Sequence, residues 1–160
     1  MNNATSISTR LYMAGPLFTA AERHHNVRLA KELKELLPDF VFVLPQRRAK
    51  AFLPDLHAVF KDCLIQVKKA DLLLACFDGP DADSGTCVEV GYAMALEKPV
   101  LGYRTDIRGS EANGVNAMLR FGCTDYVQIP SSKFSLEDLA AKLAKKLRSH
   151  AQRQRRTGWH

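Results

Sequence analysis

The chain has 160 residues, 46% of them hydrophobic and 25% charged, with a formal net charge of +6 at neutral pH. That length suits one domain spanning residues 1–160 with its own core. No apolar run approaches the ~20 residues of a membrane span and residues 1–10 lack the apolar centre of a secretory signal, so a cytoplasmic protein with no membrane partner is expected.

In chain order, Arg10-Leu-Tyr-Met-Ala14 reads as a short first strand ended by Gly15-Pro16. Residues 19–37 follow as a helix with Leu29, Leu33, Leu36 and Leu37 along one stripe. Val41-Phe-Val-Leu44 is a second strand stopped by Pro45, and residues 46–55 read as a long irregular loop before a helix over 56–69. Leu72 to Phe77 is a third strand, Ser84 to Leu96 a helix, and Val100 to Tyr103 a fourth strand. A second long loop, residues 104–115, precedes a fifth strand at Tyr126 to Ile129. Loops of such length usually cover or build a site. The last helix begins at Ser135, where Ser135-Leu-Glu-Asp138 offers a capping start and Leu136, Leu139, Leu143 and Leu147 mark a buried face.

Strands alternating with helices at this spacing imply right-handed crossovers and a five-stranded parallel sheet between two helical layers. No G-x-G-x-x-G follows the first strand, and Pro16 removes a backbone donor from Gly15-Pro-Leu-Phe18, so no dinucleotide cofactor is expected. Cys63, Cys76, Cys87 and Cys123 include no C-x-x-C pair. They read as reduced core thiols, with neither a disulfide frame nor a metal site.

The positive charge is local. Lys142, Lys145, Lys146, Arg148, Arg153, Arg155 and Arg156 are seven cations with no acid between residue 142 and the end, which leaves the remainder at −1. This stretch reads as a solvated helix face passing into a frayed basic tail from about residue 148. With Trp159 as its single aromatic, the tail offers no base-stacking surface, and a nucleic-acid partner is not expected.

The most informative segment is Asp78-Gly-Pro-Asp-Ala-Asp-Ser-Gly-Thr-Cys-Val-Glu-Val-Gly-Tyr92, a turn-rich acidic loop between an apolar strand and an apolar helix. Such a loop lies at the carboxyl edge of a parallel sheet, where open α/β folds bind ligands. Asp83 or Ser84 suits the N-cap, and Glu89 is the one carboxylate on the helix that follows. Glu89 could be an ordinary glutamate on a solvated face. Its neighbours three and four positions away, Gly85, Thr86, Tyr92 and Ala93, include no cation, however, and a carboxylate on a mostly buried helix costs several kcal/mol unless it is hydrogen-bonded or functional.

Taken in order, Leu11-Tyr-Met-Ala-Gly-Pro-Leu-Phe-Thr-Ala-Ala-Glu-Arg23, Leu44-Pro-Gln46, Asp78 to Thr86, Glu89-Val-Gly-Tyr-Ala93 and Asn116-Ala-Met-Leu119 resemble the nucleoside 2-deoxyribosyltransferase family. The resemblance runs from about Leu11 to Ile129. It implies a flavodoxin-like (Rossmann-like) three-layer α/β subunit without a cofactor, which cleaves the N-glycosidic bond of a deoxyribonucleoside and passes the deoxyribose to a free nucleobase. By the same resemblance Glu89 is the nucleophile, Tyr12 orients it, Asp83 holds the sugar hydroxyls and Gln46 lies near the base. Gly15 and Phe18 belong to the first substrate loop. Asn116, with Met118 beside it, reaches a neighbouring subunit's site, so a homo-oligomer is implied.

One departure concerns the acid that manages the base's proton. The family carries an aspartate eight residues ahead of the third strand's leading Asp. Counting back from Asp71 gives Cys63, with Asp62 one residue earlier. Either a one-residue adjustment in the helix lets Asp62 serve as the catalytic acid, or the acid is missing. A thiol is a weak donor. Two other readings remain: an N-glycoside hydrolase acting on a nucleoside or nucleoside 5'-phosphate, with Arg23, Arg47 and Arg48 as possible phosphate contacts, and a non-catalytic nucleotide-binding module.

Overall fold

The structure, a computed structural model, describes residues 8–108, 114–129 and 135–157. Its strands are β1 (Thr9–Ala14), β2 (Phe40–Val43), β3 (Leu72–Cys76), β4 (Val100–Arg104) and β5 (Asp125–Gln128). Its helices are α1 (Ala20–Leu36), α2 (Pro45–Arg48), α3 (Leu56–Lys69), α4 (Ser84–Ala95), α5 (Ala117–Gly122) and α6 (Leu136–Thr157). All strand pairs are parallel, in the order β2-β1-β3-β4-β5, which is the flavodoxin-like arrangement.

The two central strands, β3 and β4, are buried at every position, which is why they read as unbroken apolar runs. On β1 the side chains alternate. Leu11 and Met13 join Leu29 and Leu33 of α1 and Leu139, Leu143 and Leu147 of α6 on one face of the sheet. Tyr12 and Ala14 join Val67 of α3 and Val90 and Ala93 of α4 on the other. This phase points Tyr12 at the helix that carries Glu89. Because the chain leaves β1 toward one edge of the sheet and β3 toward the other, the topological switch point, where folds of this kind bind ligands, falls between their following loops.

Two expectations change. The stretch after β2 is not a bare loop: Pro45 starts α2, where a proline's fixed φ suits the first helical position, and a 3₁₀ turn covers Ala49–Ala51. The basic end does not fray at residue 148. Helix α6 continues to Thr157, and its distal side chains grip the amino edge of the sheet layer. Arg148 donates to the Leu36 carbonyl at 2.7 Å, Gln154 to the Asp71 carbonyl at 3.0 Å and Arg155 to Thr9 Oγ1 at 2.9 Å. Trp159 lies outside the described residues, as does part of the 104–115 stretch. Among the described residues, no helix is long and apolar enough to cross a membrane.

Arg104, at the end of β4, is 1% exposed. Its guanidinium donates to the Phe77 carbonyl, to the Gly79 carbonyl at 2.9 Å and to the Arg108 carbonyl at 3.0 Å. It thereby ties the loop after β3 to the loop after β4. Gly114, at φ +95°, lets the backbone pass beside it, because a Cβ there would sit 2.9 Å from Arg104 Nε. Asp78 adds a second tie by accepting from the Thr105 and Asp106 amides at 2.6 and 2.9 Å. Replacing Arg104 with methionine leaves buried carbonyls without a donor and should cost on the order of 3 kcal/mol. In urea unfolding this appears as a lower midpoint at unchanged slope. A midpoint within error of the parent would show that the loops do not depend on this arginine.

Candidate active site

Helix α4 starts where Asp83 caps it. Asp83 Oδ2 accepts from the Thr86 amide at 2.8 Å and from Thr86 Oγ1 at 3.1 Å. Just beyond its first turn the helix presents Glu89, whose Oε1 accepts a hydrogen bond from the Tyr12 hydroxyl at 2.5 Å. Tyr12 is fully buried.

Burial raises the Glu89 pKa to about 7. The nearby Asp83 charge adds to the rise, while hydrogen bonding from Tyr12 and Cys63 opposes it. Burial, followed by the Glu89 charge and Cys63, drives the tyrosine far above its ordinary value, so Tyr12 remains a donor at all working pH values. The result is a carboxylate that sheds its proton near neutrality at the carboxyl edge of the sheet, oriented by one phenol. That is the character required of a nucleophile or a general base.

Helix α3 supplies the third member of the group. Cys63 lies against both Tyr12 and Glu89, and burial, which outweighs its contact with Tyr12, holds its thiol protonated. Asp62 points elsewhere. Its two oxygens accept from Arg48 Nε and Nη2 at 2.6 and 2.7 Å, and Oδ1 also accepts from Gln66 at 3.0 Å. The Arg48 hydrogen bond, aided by Gln66, holds its carboxyl below the usual range. Gln66 in turn accepts from Arg10 at 2.6 Å.

The first loop is built by close packing and one asparagine. A Cβ on Gly15 would come within 3.0 Å of Cys76 Cβ, so the loop runs tightly over β3. Thr19 and Glu22 form a reciprocal capping box at the start of α1, and Arg23 donates to the Leu17 and Phe18 carbonyls at 3.0 and 2.7 Å. Asn26 Nδ2 donates to the Pro16 carbonyl and to Gln46 Oε1, at 2.9 and 3.0 Å, while Gln46 Nε2 donates to the Arg23 carbonyl at 2.9 Å. Gln46 is therefore fixed to the first loop and the start of α1, and Phe18 of that loop is 70% exposed. Asn116 caps α5 by accepting from the Met118 amide at 2.9 Å. Both Asn116 and Met118 are exposed, Met118 at 78%.

His25 lies 3.2 Å from the Tyr103 hydroxyl, and sequence reasoning passed over Asn26. An asparagine inside a helix, about two turns from the loop it holds, was the available signal. Among the described residues no group of three His, Cys, Asp or Glu side chains could hold a metal ion.

The raised Glu89 carboxyl makes a stability prediction. The folded chain holds this proton up to about pH 7, whereas the unfolded chain releases it in the ordinary glutamate range. Ionisation therefore destabilises the fold progressively between those values, and the cost is complete above pH 7. Glu89→Gln should stabilise the protein at pH 8 by up to about 2–3 kcal/mol and change it little at pH 4. Thermal melts at the two pH values test this, and an equal shift at both would remove the strain assigned to Glu89.

The sequence pattern of the nucleoside 2-deoxyribosyltransferase family matches residues 11–124. No curated protein matches the chain. Among solved structures, a conserved protein from Enterococcus faecalis is 26% identical, with a TM-score of 0.69 over 87% of this chain and 99% of its own. The 2-deoxyribosyltransferase of Bacillus psychrosaccharolyticus is 23% identical, with a TM-score of 0.62 over 82% of this chain and 90% of its own. A CMP N-glycosidase from Clostridium botulinum is 19% identical, with a TM-score of 0.57 over 84% and 98%. The last two likenesses speak for the shared three-layer fold, and the family match over more than half the sequence places this chain in the nucleoside 2-deoxyribosyltransferase family.

Proposed function

We propose that the chain transfers 2-deoxyribose between nucleobases by a retaining double displacement with Glu89 as nucleophile. The observation that carries this reading is the 2.5 Å hydrogen bond from buried Tyr12 to a glutamate that ionises near neutrality, on β1 and on the helix that follows β3. Glu89 attacks C1' as the C1'–N bond breaks and its electron pair departs with the base, which takes up a proton from solvent. A nitrogen of a second base then attacks C1' from the face the first base left, opposite the ester bond, giving up its proton as the C1'–O bond breaks and frees the carboxylate.

Asp83, which caps the helix carrying Glu89, takes the sugar hydroxyls in this reading. Gln46, oriented by Asn26 and the Arg23 carbonyl, addresses the base, with Gly15 and Phe18 along the same loop. Arg23 and Arg48 are engaged with loop carbonyls and Asp62, which favours unphosphorylated nucleosides over nucleoside 5'-phosphates. The substrates are deoxyribonucleosides and free nucleobases, a cytoplasmic salvage reaction that needs no cofactor.

The site is completed by a second copy of the chain. Asn116 stands at the exposed start of α5, where Met118 and Phe121 are 78% and 76% exposed, and Val88 on adjacent α4 is 57% exposed. An apolar surface of this kind suits a homo-oligomer that carries Asn116 into a neighbouring site.

Deoxyinosine incubated with adenine should give deoxyadenosine and hypoxanthine, and Glu89→Ala should lower the rate by at least about a thousandfold while the fold persists. Hypoxanthine released equally without adenine would make the protein a hydrolase. Turnover in Glu89→Ala near the parent rate would remove the nucleophile.

Sharing of sites has its own test. Glu89→Ala and Asn116→Ala, each impaired alone, should recover activity on mixing, because a mixed pair contains one site with both side chains intact. No recovery after subunit exchange has been demonstrated would place Asn116 in its own subunit's site.

A further inference from the structure

A base leaving C1' must collect a proton or depart as an anion, and the side chains around Glu89 determine which donors can meet that demand. Helix α3 is regular from Leu56 to Lys69, so Asp62 and Cys63 are rotated by about 100° from one another. The helix turns Cys63 toward Tyr12 and Glu89 and leaves Asp62 in a two-bond clamp with Arg48. A carboxylate in such a clamp is stabilised in its charged form and is a poor proton source. A neutral thiol is a weak donor. Asp83, the other acid that acts on Glu89, accepts two hydrogen bonds from Thr86 on a single oxygen.

We propose that Cys63 makes this site selective for deoxynucleosides whose base departs without an acid from the protein, namely purine donors over pyrimidine donors. The proposal rests on Glu89 being the nucleophile. A purine carries a basic N7 on the edge away from the sugar, where a solvent acid can protonate it. As Glu89 attacks C1', the electron pair of the breaking C1'–N9 bond returns to the ring and the base leaves as its neutral N7–H tautomer. Thymine offers no comparably basic nitrogen, and its departure would call for a proton at the carbonyl oxygen beside the glycosidic bond, where the thiol stands in place of an acid.

The test compares two donors with the full-length protein, each corrected for spontaneous hydrolysis. 7-Methyl-2'-deoxyguanosine carries a fixed positive charge and loses its base without any proton, whereas thymidine needs one. The parent protein should consume the first at least roughly 100-fold faster, the usual worth of a general acid. Cys63→Asp should narrow that ratio about tenfold or more by raising thymidine turnover, and Cys63→Ser, which supplies no acid, should keep it wide. A parent ratio near one, or a folded Cys63→Asp with an unchanged ratio, would overturn the proposal. So would Asp62→Asn losing thymidine turnover selectively, since that outcome identifies Asp62 as the acid. If the Cys63→Asp chain does not fold, the parent ratio and Cys63→Ser still decide. Equal turnover of 7-methyl-2'-deoxyguanosine by the parent and Glu89→Ala would defeat the double displacement itself, a failure distinct from that of the Cys63 assignment.

Discussion

The hydrogen bond between Tyr12 and Glu89 is the contact on which the rest of the site depends. A carboxylate on an otherwise apolar helix face is expensive to keep away from water, and one phenolic donor does not fully compensate it, as the rise of its pKa to about 7 records. The compensation comes from two elements far apart in sequence, β1 and α4, which meet only because the sheet places β1 beside β3. A shift of β1 by one residue would turn Tyr12 to the opposite face and Met13 toward Glu89. Sheet register and site geometry are therefore one constraint.

A second set of contacts keeps α4 where that bond requires it. The loop from Asp78 to Asp83 is rich in carboxylates that would repel one another if left loose. Arg104 and Asp78 lace it to the loop after β4, and Asp83 spends one oxygen on capping the helix. The first loop is treated in the same way, with Asn26 holding both the Pro16 carbonyl and Gln46. Tyr12 and Glu89 thus lie on a strand and a helix, while loops pinned by polar contacts surround them. This is the arrangement expected where reactants must be held in position without later reorganisation.

Much of this was legible in the sequence, for identifiable reasons. The apolar runs of β3 and β4 and the leucine stripes of α1 and α6 are periodic signals that local chemistry enforces, and Glu89 stood out because no helical neighbour could neutralise it. What escaped notice depended on partners distant in sequence. Arg104 read only as the start of a long irregular loop, yet it is buried against three carbonyls. The basic end looked frayed, yet its cations find a carbonyl and a hydroxyl at the edge of the sheet layer. The choice between Asp62 and Cys63 could not be made by counting, because a one-residue difference on a helix is a 100° rotation and only the packed position of α3 fixes which side chain meets Tyr12.

The most direct measurement is mass spectrometry of the protein quenched in acid within a single turnover of a deoxynucleoside, followed by peptide mapping. A covalent deoxyribosyl mass on the peptide that contains Glu89, absent from Glu89→Gln and discharged by added nucleobase, is the result this account predicts. Turnover that proceeds with no adduct, or an adduct on another residue such as Cys63, would contradict it.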